Sequence, residues 1–174
     1  MQVNAGAELG EHTLTIRVRK AERLDFDALI TLIKALADYE KLDPPTEAAQ
    51  KRLIRDGWPE HGPARFTAWL AEAHDPATEA ATAVGYAITF FTYSSFLARP
   101  TLYIEDIFIL PDRRRDGAGS AIFQALTAEA KSEGCGRMEW VVLDWNTMAQ
   151  NFYRKLGAKH MADWHCYRLA LEAD

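Results

Sequence analysis

The sequence predicts a chain of the α/β class, more closely α+β: a mixed, mostly antiparallel central sheet with helices on both faces. Three observations carry that reading. Residues 66–73 and 84–93 are β-branched and aromatic runs flanking a polar stretch at 74–82, the pattern of a hairpin. Residues 101–110 form a second apolar run, and the stretch after it repeats apolar residues at Ile122, Phe123, Leu126 and Ala130, which is helical spacing. Another strand-like run at 138–143 and a helical pattern from about Thr147 to Leu156 follow, so antiparallel strands come first and a βαβα unit later.

The elements follow in order. Residues 14–19 alternate like a half-buried strand. Asp25 can cap a helix whose apolar face is Leu29, Ile30, Leu32, Ile33 and Leu36. Pro44-Pro45 breaks the chain, and Thr46-Glu47 opens a second short helix ending near Gly57. The hairpin comes next, then the strand at 101–110, closed by Pro111-Asp112. The helix at 118 onward, the strand at 138–143, the helix at about 147–156 and a closing strand pair near 160–171 complete the chain. Residues 1–13 read as a loose tail and 14–174 as a single domain, with no linker, repeat or low-complexity block.

Composition bounds the function. The chain has 174 residues, 20 Lys and Arg against 25 Asp and Glu, and a net charge of −5. That balance argues against duplex nucleic acid, whose binding is dominated by phosphate neutralisation, and suits a cationic small partner. Cys135 and Cys166 are too few for a disulfide framework and read as reduced, packed thiols. The first residues contain Glu8 and Glu11 and no long apolar stretch, so no secretory leader or membrane span is expected and the location reads as cytoplasmic. His160, His165 and Cys166 match no zinc spacing, and no metal is expected.

Arg114-Arg115-Asp116-Gly117-Ala118-Gly119 falls where a strand ends and a helix begins. There the first helical N–H groups lack internal partners and carry the positive end of the dipole. Gly117 and Gly119 leave the approach open, and Arg114 and Arg115 add charge, which makes a seat for a pyrophosphate. A Walker loop would end in Gly-Lys-Ser/Thr, whereas this one reads Gly119-Ser120-Ala121. A dinucleotide fingerprint would open a first βαβ unit, and this turn lies past mid-chain. By itself, the turn serves equally as a plain helix start.

Two further features carry chemistry. Glu105 and Asp106 are adjacent acids inside an apolar strand, and alternation sends them to opposite faces unless the strand is bulged. Such acids are costly unless paired or wetted, so an arginine ion pair and a functional role are the two readings. Tyr153 shares a helix with Phe152 and Leu156, which suits a core aromatic. Its phenol, with an ordinary pKa of about 10, can equally hand a proton to a departing thiolate of pKa about 8.5.

The glycine loop, the strand at 138–143, Asp144-Trp145-Asn146 and the run Asn151-Phe152-Tyr153-Arg154-Lys155-Leu156-Gly157-Ala158 together resemble the GCN5-related N-acetyltransferases. Residues 32–40 (LIKALADYE), Phe91-Thr92-Tyr93, residues 102–106 (LYIED) and Asp144-Trp145-Asn146 are similar to the diamine (spermidine/spermine) branch. The resemblance implies that family's fold, acetyl-CoA as co-substrate, a small amine acceptor and a homodimer. It implies Tyr153 as general acid and Glu105 as proton acceptor through a water. Ile107, Phe108, Ile109, residues 114–120 through Ser120, Asn146 and Ala149 would hold the coenzyme, with a backbone N–H on the central strand facing the oxyanion. Tyr39, Glu40, Glu105, Asp106 and Trp145 would hold the amine, and Asp43 belongs to the same acidic loop. Asn146 also suits a helix cap. Arg115 stands where the family loop has glycine, Asp116 adds a negative charge beside it, and the loop from Glu40 to Thr46 is shorter than in the animal diamine enzymes.

The expected reaction is direct attack of a primary amine on the thioester in a ternary complex. Other acceptors, such as an amino acid, its thioether analogue or a protein N-terminus, form a second reading. A non-catalytic acyl-CoA sensor is the third.

Overall fold

A computed structural model describes residues 15–75, 77–78 and 80–171. The expected tail at 1–13, and Leu14 of the first strand, lie outside the described residues. The chain divides into two compact units, one running to Trp140 and one from Val141 onward.

The first unit is built on one sheet in the order β1 (Thr15–Lys20), β2 (Thr67–His74), β3 (Ala81–Ser94), β4 (Arg99–Ile109) and β5 (Arg137–Trp140). The first three pairings are antiparallel, and β4 and β5 run parallel. The mixed, mostly antiparallel sheet is therefore as the sequence predicts. α1 (Phe26–Glu40) covers one face, where Leu29 and Leu32 pack with Ala68, Leu70, Tyr86, Ile88 and Phe108. α2 (Glu47–Gly57) begins where Thr46 accepts a hydrogen bond from the Ala49 N–H at 3.2 Å, the expected cap. α3 (Ala118–Ser132) lies on the other face. Lys20, whose ammonium sits 5.3 Å from the Trp69 ring centre, bonds Glu129 of α3 at 2.6 Å.

Asp25 does not cap α1 with its side chain. Its carboxylate accepts from the Glu22 N–H at 2.7 Å and pairs with the Arg19 guanidinium at 2.6 and 2.8 Å. Arg19 also bonds Glu72 on β2, so one guanidinium ties the start of α1 to two strands, and a charge-assisted pair outcompetes a lone cap.

β4 carries the irregularity that matters. Ile104 stands opposite Thr89 and Asp106 opposite Ile88, which leaves Glu105 as an extra residue with no partner on β3. β5 pairs with Thr101 through Ile104 and stops at Trp140, short of the expected 143. The β4–β5 ladder thus ends where the bulge begins, because a bulge breaks register and re-aims the strand. Beyond it, residues 105–109 pair with no described strand on that edge.

In the second unit, α4 (Thr147–Lys155) forms as expected. The expected strand pair near 160–171 does not: a turn at 162–163 is followed by chain in no ladder, and Trp164, Tyr167, Leu169 and Leu171 are exposed. Alternation supplies strand propensity, but a strand exists only where a neighbour supplies the hydrogen bonds. Cys135 is half-buried and Cys166 exposed, both free, so only the first fits the packed thiol expected. Among the described residues, no helix is long and apolar enough to cross a membrane.

Gly85 is required by the close approach of β4. A Cβ there would strike the Ile109 side chain and lie 2.6 Å from the Phe108 carbonyl oxygen. Gly85→Ala is expected to cost about 1–3 kcal/mol in urea unfolding. An unchanged midpoint would show that the two strands give way without cost.

Candidate functional site

The bulge decides where the acids point. On β3, Tyr86 and Ile88 face α1, and their partners on β4 are Phe108 and Asp106. Ile104, opposite Thr89, belongs to the other face. The extra residue between Ile104 and Asp106 reverses the alternation, so Asp106 shares the α1 face with Phe108 while Ile104 does not. Glu105 acts electrostatically on Asp106 across the bulge, and Glu40, the last residue of α1, acts on it from above. The structure thus brings Glu40, Glu105 and Asp106 into one acidic group. Among the described residues, none of the three forms an ion pair with a lysine or arginine, so the ion-pair reading of the two adjacent acids does not hold.

Burial is the first cause of the electrostatics here. Together with the neighbouring charges of Glu105 and Glu40 it raises Asp106 to about 6, against the pull of a hydrogen bond from the Tyr86 hydroxyl at 3.3 Å. Burial also raises Glu40. Glu105 is exposed, whereas Asp106 and Glu40 are half-buried. The group can hold a cation, and its most shielded member titrates close to neutrality.

Tyr39 reaches the same place differently from Glu40. Its ring lies 6.1 Å from Phe108 and 4.6 Å beneath the Arg114 guanidinium. Arg114 is also 5.9 Å from the Phe108 ring centre, and its Nε–H donates to the Ile109 carbonyl at 3.2 Å. The arginine expected to face the phosphates is stacked between α1 and β4, a cation–π contact that fixes the loop's entry.

The open edge of β4 has usable backbone. The Leu110 N–H donates to Val84 on β3 at 2.9 Å, so alternation turns the N–H groups of Ile107 and Ile109 away from β3, toward the edge β5 leaves free. The Phe108 side chain is buried in the core and its N–H turns to β3, so of the three expected strand residues Ile107 and Ile109 are the ones placed to pair with an extended ligand. The chain then enters the glycine loop. Gly117 starts α3 at φ 85°, and the first intrahelical bond runs from the Ala121 N–H to Gly117 at 2.9 Å. The N–H groups of Ala118, Gly119 and Ser120 precede it and are the orphans of the first turn. Arg115 is exposed at φ 79°, a left-handed conformation that a glycine adopts without strain. Asp116 beside it is exposed as well.

In the second unit, the Asn146 side chain accepts from the Ala149 N–H at 3.1 Å, so the cap forms and occupies both residues. Gln150 braces the same turn through the Leu143 and Asp144 carbonyls. Trp145 is half exposed. Tyr153 lies 5.7 Å from the Phe152 ring, and burial pushes its phenol up to about 12. Among the described residues no cluster of His, Cys, Asp or Glu is built to hold a metal. Sequence reasoning did not find Tyr86, because a tyrosine in a strand looks the same whether its hydroxyl meets solvent or a carboxyl. It also did not find the stacking of Arg114 on Tyr39.

Comparison with known proteins agrees with this geometry. The family described as Acetyltransferase (GNAT) family matches residues 33–158. A thialysine N-epsilon-acetyltransferase of Bos taurus is 33% identical over 166 residues, covering 91% of this chain and 94% of that protein. A spermidine/spermine N(1)-acetyltransferase-like protein of Homo sapiens is 29% identical over 160 residues, 90% of this chain but 23% of the longer human protein. These relatives are consistent with the diamine branch. The fold is shared with AAC(6')-Iy, solved in complex with a bisubstrate analogue, CoA-S-monomethyl-acetylneamine, at a TM-score of 0.70 and 19% identity over 90% of this chain and 99% of that one. A helix-opening glycine loop, an open strand edge and an acidic bulge, on this fold and with this relationship, mark the chain as a member of the acetyltransferase (GNAT) family.

Proposed function

We propose that this N-acetyltransferase transfers an acetyl group from acetyl-CoA to a primary amine carried on a short chain with a second positive charge. The observation that carries the reading is the group Glu40, Glu105 and Asp106, an acidic site that pairs with no lysine or arginine among the described residues, formed by the end of α1 and the strand whose open edge can pair with the coenzyme arm. A diamine or polyamine has this charge pattern. So does thialysine, the substrate in the name of the bovine relative, where an α-amino group replaces the second amine. Both readings share one chemistry, a primary amine a few bonds from an ammonium.

The residues fit the coenzyme. The Ile107 and Ile109 N–H groups suit the amides of an extended arm, and the first turn of α3 suits the pyrophosphate. The bound thioester would supply an activated acetyl carbon and a thiolate leaving group. The chain's own part is positioning and proton management. Asp106 and Glu40 hold the acceptor as its ammonium. A primary amine of pKa about 10.4 is only about one part in a thousand neutral near pH 7.4, so a proton must leave before attack. Glu105, exposed and therefore wet, takes it through a water. A backbone N–H on β4 meets the negative charge growing on the carbonyl oxygen. Tyr153, with its phenol held protonated, serves as the acid for the departing thiolate. Direct attack needs no enzyme nucleophile.

A panel of putrescine, spermidine, spermine, thialysine, lysine, ornithine and short peptides, read by thiol release from acetyl-CoA, tests the acceptor class. Turnover confined to acceptors with a second cation is expected, and turnover on peptides alone would overturn it. Coenzyme binding with no turnover on any amine would favour the sensor reading.

Tyr153→Phe is expected to lower kcat by about 10²–10⁴ with folding intact. A loss of only a few-fold would demote the residue to packing. Glu105→Gln is expected to depress turnover most at the acid end of a profile from about pH 6 to 9, where free neutral amine is scarcest. Identical profiles would reject the proton-relay role.

A further inference from the structure

Tyr86 is a buried hydroxyl that the reaction described above does not use. Its side chain is fully buried at 0% exposure, packed among Leu29, Leu32, Leu70 and Phe108 beneath α1. Its ring centre lies 6.5 Å from that of Phe108. The hydroxyl emerges from this apolar wall at one place, 3.3 Å from the Asp106 Oδ2. Burial and the charges of Asp106 and Glu40 drive the phenol far above its ordinary range, so it remains a hydrogen-bond donor at every working pH.

We propose that Tyr86 is a positioning residue that fixes the Asp106 carboxyl and keeps it available as an anion for the acceptor ammonium. The inference rests on the acceptor-site reading of Asp106 given above. Three groups bear on that carboxyl from the elements around it: Glu105 across the bulge on its own strand, Glu40 from α1, and Tyr86 from β3. Both carboxylates and the burial disfavour its ionised form. The phenol favours it, because a hydrogen bond donated to a carboxylate stabilises the charged state. With Asp106 near 6, a small displacement decides whether the acceptor meets an anion or a neutral acid at ordinary pH. The tyrosine stem also fills the space under α1, so the donor is delivered by a rigid part of the core rather than a mobile side chain.

Tyr86→Phe removes the hydroxyl and keeps the ring. Loss of a bond to the charged form raises the carboxyl's pKa, by up to about one unit for a bond as long as 3.3 Å. Carboxyl-labelled aspartate NMR, with Asp106→Asn assigning the resonance, reads this titration directly. The acid limb of kcat/KM for the amine should move up in step. The amine's own titration is common to both proteins, so the difference between them isolates Asp106. At pH 6.5 the acceptor KM should rise about threefold for a one-unit shift, recover by pH 8.5, and exceed the change in kcat. A merely structural role would lower kcat and stability alike at every pH. An unmoved Asp106 titration in the Tyr86→Phe protein overturns the inference, whatever its kinetics. An unchanged acceptor KM in Asp106→Asn instead overturns the acceptor-site reading, while the NMR titration still reports separately on Tyr86.

Discussion

One extra residue in β4 organises the site. A regular strand would keep residues 104, 106 and 108 on one face. The bulge at Glu105 breaks that alternation. It puts Ile104 on the far face and Asp106, with Phe108, on the face under α1, and it coincides with the end of the β4–β5 ladder at Ile104 and Trp140. The acidic group and the open strand edge, proposed above for acceptor and coenzyme, therefore both lie at a single register shift on one strand.

The same strand sets the energetic character of the site. Burial and the charges of Glu105 and Glu40 raise the Asp106 carboxyl, and an arginine inserted beside it would oppose the effect. Arg114 is close in the fold but is spent elsewhere, stacked on Tyr39 and Phe108 and bonded to the Ile109 carbonyl. Among the described residues the acidic group pairs with no lysine or arginine. The same stacking links the entry of the glycine loop to α1. Gly85, where a Cβ would meet the Phe108 carbonyl, allows the close approach of β3 and β4.

The glycine loop shows how local chemistry can depart from a pattern and keep its shape. Arg115 adopts the left-handed conformation that the family's glycine takes easily, φ 79°. The strain of a non-glycine residue there is of the order of 1–2 kcal/mol, small enough for the surrounding turn to hold. What the chain gains is a cation beside Asp116. The orphan N–H groups of α3 are unaffected, because they belong to the backbone and not to either side chain.

Much of this was legible in the sequence, and the reasons divide cleanly. Periodicity located α1, α2, α3, α4 and the first four strands to within a few residues, because helix and strand leave their period in the order of apolar side chains. The glycine loop was legible because positive φ and an unobstructed helix start demand particular residues, and the paired acids because carboxylates in an apolar strand are conspicuous. Only the tertiary structure decided which way those acids face, where β5 ends, that residues 160–171 join no described ladder, that Asp25 and Arg114 serve other partners, and that Tyr86 touches Asp106. Each of these depends on what a distant segment brings alongside: a bulge exists only relative to a neighbouring strand, and a hydrogen bond across β3 and β4 joins residues twenty positions apart. The sequence by itself determined the elements and the chemistry they carry. Their register, which is a property of pairs of segments and not of any one segment, determined the site.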